Sequence, residues 1–125
     1  MKRKLRKSGI WTLKKADTMF SEYIRTRDKM CRRCGKARSK DNPLTNSHFW
    51  GRQHKATRFS PENCIALCWM PCHKYHFEKE KQGEYRDLMI LWLGQEKYDK
   101  LALDAASTYP QSRAIMDCMR LLKAL

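Results

Sequence analysis

The sequence predicts an α+β fold, and three observations carry that reading. Apolar residues recur at three- and four-residue steps near the N-terminus and again through the last third of the chain. Between these regions the pattern turns short and extended. That middle stretch is laced with cysteine and histidine, so a metal staple would support the modest core that 125 residues can bury.

Residues 1–11 read as a basic, flexible lead, and 12–125 as a single domain. A first helix is predicted from Thr12 to about Asp28. Leu13, Ala16, Phe20, Tyr23 and Ile24 share its apolar face, and Thr12 is its N-cap. Arg25, Arg27 and Lys29 stand at its C-terminal end, where the helix dipole favours cations. CRRCG (31–35) is a cysteine knuckle, followed by a polar stretch with a turn at Asp41-Asn42-Pro43. HFW (48–50) and TRF (57–59) predict a hairpin that loops through Gly51 to Lys55. FSPEN (59–63) is a turn. A helix is then expected from about Pro71 to Lys81, ended by Gly83. Further helices are expected over 84–93, closed by Gly94, and over 95–105, with Tyr98, Leu101 and Ala102 on one face. After the break at Tyr109-Pro110 the last helix starts near Ser112, with Ile115, Met116, Met119, Leu122 and Leu125 at helical spacing. The domain therefore divides into a metal-binding part, about 24–82, and a helical part, about 84–125.

The net charge of +14 is unevenly placed. Residues 1–60 hold 18 basic and 4 acidic side chains, and residues 61–125 hold 9 of each. A one-sided basic surface suits a polyanion, nucleic acid first. The MKRKLRK lead alone would serve equally as a solubilising tail. The cations that bracket the first cysteine pair, Arg32 and Arg33 among them, are not explained that way. The sequence has no apolar run of the ~18 residues that a membrane helix needs, and its basic N-terminus lacks the apolar stretch of a secretory signal. The expected compartment is the cytoplasm, where six cysteines point to metal ligands or buried thiols rather than disulfides.

Cys31-x-x-Cys34 and Cys68-x-x-x-Cys72 are two knuckle-like pairs. Zn²⁺ takes four such thiolates in a tetrahedron, and a closed set of four leaves no position for water or substrate, so this zinc is read as structural. Cys64 is the alternative to Cys72, although it would strand Cys72 beside His73. Cys118 falls on or near the apolar face of the last helix and is read as core.

Four other metal-type residues remain: His48, Asn63, His73 and His76. His73 and His76 are three apart on a predicted helix and face the same way, so together they can hold a divalent metal. His54, in the basic loop GRQHK, is read as a packed or surface residue, or a DNA contact. Arg52, Lys55 and Arg58 in GRQHKATR (51–58) would seat a phosphodiester backbone beside His48 without reading its sequence.

Histidine, asparagine, histidine in this order, interleaved with two cysteine pairs, resembles the HNH (ββα-metal) nucleases. More narrowly it resembles the phage NinG/Rap recombination nucleases. The matching residues are IRTRDKMCRRCG (24–35), SHF (47–49), TRFSPEN followed by LC (57–68), and YRDLMILWLGQEKYDKL (85–101), a likeness that spans about residues 12–104. It implies a zinc-stapled ββα-metal core with an N-terminal helix and added C-terminal helices. It also implies a metal-dependent DNA endonuclease, encoded by a phage or prophage and acting in the bacterial cytoplasm.

In that likeness His48 is the general base, Asn63 braces the hairpin loop, His73 and His76 ligate Mg²⁺ or Mn²⁺, and Arg58 contacts the phosphate. The implied substrate is branched recombination DNA, such as Holliday junctions and D-loops, which would favour a homodimer. The sequence departs from the family where many sites place Asp or His before the base; here Ser47 stands there, preceded by Asn46. Two other readings keep the same residues: a non-catalytic zinc module that binds nucleic acid, and an HNH endonuclease that nicks or cuts linear duplex.

Overall fold

The computed structural model describes residues 9–80 and 82–125. The side chains of 75, 76 and 78–80 lie outside the description, as do residues 1–8, on which the expected flexibility of the lead falls. The architecture is mixed α+β. Helix α1 (Leu13–Asp28) is followed by strands β1 (Thr45–His48) and β2 (Cys64–Leu67). A wide-turned helix α2 (Trp69–Glu80) then leads to α3 (Gln82–Leu93), α4 (Gln95–Ala105) and α5 (Gln111–Lys123).

Helix α1 forms as its sequence predicts. The Thr12 hydroxyl accepts from the Lys15 N–H at 3.1 Å, and Lys29 closes the helix in the left-handed region with φ 64°. Ala16, Phe20, Ile24 and Asp28 recur every four residues and are buried. This stripe packs on both strands and on α5, whose own buried residues are Ala114, Ile115 and Cys118. Leu125, expected on that apolar face, is 74% exposed.

The two strands are antiparallel, with Thr45 opposite Leu67, Asn46 opposite Ala66, Ser47 opposite Ile65 and His48 opposite Cys64. All four residues of β2 are buried, which fits an apolar Cys-Ile-Ala-Leu run covered on both faces. The outer edge of β2 is capped rather than left open. The Ala66 N–H donates to the Asp28 carboxylate at 2.8 Å, and the Arg32 N–H donates to the Ala66 carbonyl at 2.9 Å. Asp28 thereby fixes the end of α1 and the first cysteine knuckle to the sheet.

Three expectations are corrected here. TRF (57–59) is not the second strand; that role belongs to Cys64–Leu67. Residues 51–63 run instead as successive turns, with Thr57 N–H to the His54 carbonyl, Ser60 N–H to the Thr57 carbonyl and Asn63 N–H to the Ser60 carbonyl. The strand-like β-branched and aromatic residues of 57–59 are there because this loop is itself buried at Thr57, Arg58 and Phe59. The first strand also starts earlier than HFW, at Thr45. Gly83 does not end a helix but lies in the first turn of α3. Gly94, with φ 88°, separates α3 from α4 as expected, since only glycine takes that conformation freely.

Candidate metal centre and catalytic cleft

The Sγ atoms of Cys31, Cys34, Cys68 and Cys72 all lie within 4.8 Å of one another, and Cys34 and Cys68 are 3.9 Å apart. A tetrahedral Zn²⁺ with bonds of about 2.3 Å needs sulfurs about 3.8 Å apart, so the cluster can hold a metal ion such as zinc. Local structure explains the convergence. Gly35, at φ 80°, turns the first knuckle so that its N–H meets the Cys31 carbonyl at 2.8 Å. The second knuckle bends at Trp69-Met70-Pro71, with extended backbone at Met70 and a cis Met70–Pro71 bond, before the His73 N–H reaches the Cys68 carbonyl at 3.0 Å. The extra residue in the second pair is absorbed by this bend.

Burial works against a charged Cys31, yet hydrogen bonds from the Cys34, Cys68 and Arg33 backbone outweigh it and bring its thiol down to about 7. Burial pushes the thiols of Cys68 and Cys72 up. Four thiolates in one place thus call for a cation, which inverts that preference. Arg33 assists from outside, donating to Cys72 Sγ at 3.4 Å and pairing with Glu84 at 3.2 Å. Cys64 stands apart from the cluster, fully buried, its thiol pushed well up by burial. Cys118 is core, as expected, and points at the Ala16 carbonyl.

The histidines gather in a different place. A cleft of about 420 Å³ is lined by Asp17, Ser21 and Arg25 of α1, by Leu44, Thr45, Asn46 and His48 of the first strand region, and by Arg52, Trp69 and His73. His48 donates from Nε2 to the Arg58 carbonyl at 3.0 Å, which leaves Nδ1 as its accepting nitrogen. Burial first, and the nearby Arg52 guanidinium second, lower its pKa to about 4, so the ring is neutral at pH 7. His73 is held by Thr45. The Thr45 hydroxyl donates to the Leu67 carbonyl at 2.8 Å and so must accept from His73 Nδ1, 2.7 Å away. That assigns the lone pair of His73 to Nε2.

Asn63 is wholly buried and ties the loop together. Its Oδ1 accepts from the Trp50 N–H at 2.9 Å, and its Nδ2 donates to the carbonyls of Trp50 at 2.9 Å and Thr57 at 3.1 Å. The Thr57 and Arg58 carbonyls are consecutive, so the loop that Asn63 holds is the one that orients His48.

The cations divide. Arg52 and Arg25 line the cleft, and Arg25 is also paired with Glu22 at 3.2 Å and donates to the Ser21 carbonyl at 3.2 Å. Arg58 does not reach it: its guanidinium is buried, clamps both Asp17 oxygens at 3.0 and 2.5 Å, and donates to the Arg52 carbonyl at 3.1 Å. This is a correction to the phosphate contact expected of Arg58. Arg32 and Arg33 are also committed elsewhere, Arg32 to Asp28 at 2.9 Å and to the Trp92 ring. Lys55 opens on a separate hollow with Ser60, Ala114 and Asp117. His54 is a brace, its Nδ1 meeting the Ala105 carbonyl at 3.0 Å. Ser47 turns away from the cleft and shares a 2.7 Å hydrogen bond with the Tyr85 hydroxyl in the core. The side chain of His76 lies outside the described residues.

Sequence reasoning missed Asp17, Thr45 and Trp69. Asp17, Ser21 and Arg25 were readable in principle, as a polar stripe at four-residue steps beside the apolar stripe of α1. Thr45 carried no signal in one dimension. No protein-family model, curated protein or solved structure matches this chain.

Proposed function

We propose that this chain is a metal-dependent DNA endonuclease of HNH type, stapled by a structural zinc and acting on branched recombination intermediates. The observation that carries the reading is the state of His48. A neutral imidazole, its Nε2–H spent on the Arg58 carbonyl, presents Nδ1 as a proton acceptor in a cationic cleft. His48 takes the proton of the water that attacks the phosphorus. Arg52 and Arg25 hold the phosphodiester against it. Asn63 keeps the loop, and so the ring, in place.

Two donors on the cleft wall support the reading of a divalent ion such as Mg²⁺ or Mn²⁺ there. His73 offers Nε2, with its other nitrogen fixed by Thr45, as metal-bound imidazoles are. Asn46, on the same wall, has a buried Oδ1 with no hydrogen-bond partner, an oxygen donor suited to a hard cation. Such an ion supplies stabilisation of the charge on the phosphate and on the leaving 3′ oxygen. The branched substrate and the homodimer rest on the resemblance to the NinG/Rap nucleases.

The test is cleavage of matched branched and linear DNA with Mg²⁺ or Mn²⁺, comparing the native chain with His48→Ala. Loss of cutting with retained binding supports the nuclease and the role of His48. Equal cutting of linear duplex keeps the chemistry and removes the recombination assignment. A specific observation favours a second reading, a zinc module that binds nucleic acid without cutting it. Among the described residues, the only cluster of three or more Cys, His, Asp or Glu ligands is that of the four cysteines. Binding without cleavage with either ion would select it.

A further inference from the structure

Trp69 sits where a buried aromatic would not be expected to stop. It lines the cleft that holds His48 and His73, yet the residue is 50% exposed, and its neighbour Met70 is 47% exposed. Trp69 stands in the knuckle between Cys68 and Cys72, where the His73 ring meets it edge-on at 5.6 Å and the Lys74 ammonium lies 5.7 Å from its centroid. A half-exposed indole beside Arg25 and Arg52 joins an apolar π-face to a cleft whose one lining carboxylate, Asp17, is neutralised by Arg58.

We propose that Trp69 is a stacking platform for an unpaired base, and that the cleft therefore takes DNA at a point where one strand is open. The inference rests on the phosphodiester reading of the cleft and names its substrate class. The chemistry is that of single-strand binding: cations track the backbone while an aromatic face receives a base without reading its identity. A closed duplex keeps both faces of every internal base stacked on neighbours and has none to offer. With a base on the indole, the adjoining phosphates fall to Arg52 and Arg25, which line the same cleft. A second copy of this chain is a poor occupant of the same patch, because each copy carries a net +14.

The experiment is a fluorescence binding titration of the zinc-loaded full chain, with no other divalent ion added. The probes are a short oligothymidine and a blunt, loop-free linear duplex with the same number of phosphates. Trp69→Phe keeps an aromatic face and Trp69→Ala removes it; zinc content and melting of both variants are checked against the native chain. The expected result is oligothymidine binding about 5- to 100-fold weaker in Trp69→Ala, largely kept in Trp69→Phe, with duplex binding changed less than about twofold. Unchanged oligothymidine binding, an equal loss for both probes, or no oligothymidine binding by the native chain would each overturn the proposal. Cleavage is scored separately. A chain that stacks oligothymidine on Trp69 but cuts nothing keeps this proposal and loses the nuclease. A chain that cuts DNA while Trp69→Ala binds normally does the reverse.

Discussion

The cysteine cluster and the histidine cleft lie on the two sides of one short knuckle, Cys68 to Cys72, and are built on opposite principles. The cluster is complete in the chain: four ligand atoms from two knuckles, mutually within 4.8 Å. The cleft has few ligand atoms but many fixed orientations. Thr45 sets the tautomer of His73, the Arg58 carbonyl sets that of His48, and Asn63 sets the loop that carries Arg58. A structural metal needs a closed coordination sphere and rewards pre-assembly. On the function proposed for it, the cleft is a reaction centre, which needs open positions, so its protein part is reduced to oriented groups, with water and substrate supplying the rest.

The sharpest way to break this contrast is to remove one thiol. Cys34→Ser removes one of the four thiolates and should weaken a zinc site worth on the order of 10 kcal/mol in all, destabilising the fold with it. The check is one zinc per native chain by metal analysis, with circular dichroism lost on chelation and restored by zinc. If the fold survives without metal, the cluster is not the staple described here. His48→Ala should behave in the opposite way. Cleavage should fall about 10²- to 10⁴-fold while zinc content stays native and stability falls only by about 1–3 kcal/mol, for the orphaned Arg58 carbonyl. A variant that unfolds instead would place His48 among the structural residues.

Two buried polar residues sharpen the comparison at intermediate size. Asn63→Ala leaves the Trp50 N–H and the Trp50 and Thr57 carbonyls without their partner in the interior. At about 1–3 kcal/mol for a buried group left unsatisfied, denaturant unfolding should show a loss of at least that size, and cleavage should fall further as His48 loosens. Asp28 supports the zinc side. Burial would raise its pKa, but hydrogen bonds from Arg27, Arg32 and the Ala66 N–H outweigh it and hold the carboxyl below its ordinary value. Its contribution is therefore present above the unfolded pKa of about 3.9 and is lost as pH falls through the lower folded value. Asp28→Asn should be clearly less stable than the native chain at pH 7, and the gap should close in acid; a gap that stays constant with pH would show that the charge of Asp28 is not what stabilises.

Much of this was legible in the sequence, for reasons that differ by element. The helices were readable because an apolar stripe at four-residue spacing has only one periodic explanation, as Ala16, Phe20 and Ile24 show. The cysteine set was readable because short pairs carry their geometry locally. The second strand was not. TRF carries β-branched and aromatic residues as a strand does, but its residues are buried in a loop held by Asn63, and nothing local distinguishes the two cases. The role of Arg58 was hidden likewise, since its partner Asp17 lies 41 residues away on another element. Ser47 looked like a missing ligand, yet its hydroxyl is used by Tyr85, a contact across 38 residues. Residues whose meaning depends on a distant partner are where one-dimensional reading fails.

The smallest effect separates cations that the sequence could not rank. Arg52 stands in the cleft, while Arg33 is committed to Cys72 and Glu84 beside the cluster. A cation that neutralises a phosphate releases a counterion and adds about one to the salt slope of binding. Arg52→Ala should therefore lower the slope of log binding constant against log salt by about one and weaken binding uniformly across sequences. Arg33→Ala should leave the slope unchanged and act instead on the metal side, with faster zinc loss to a chelator. If both variants lower the slope equally, the basic surface runs unbroken from cluster to cleft, and the division between a stapling side and a substrate side does not extend to the cations.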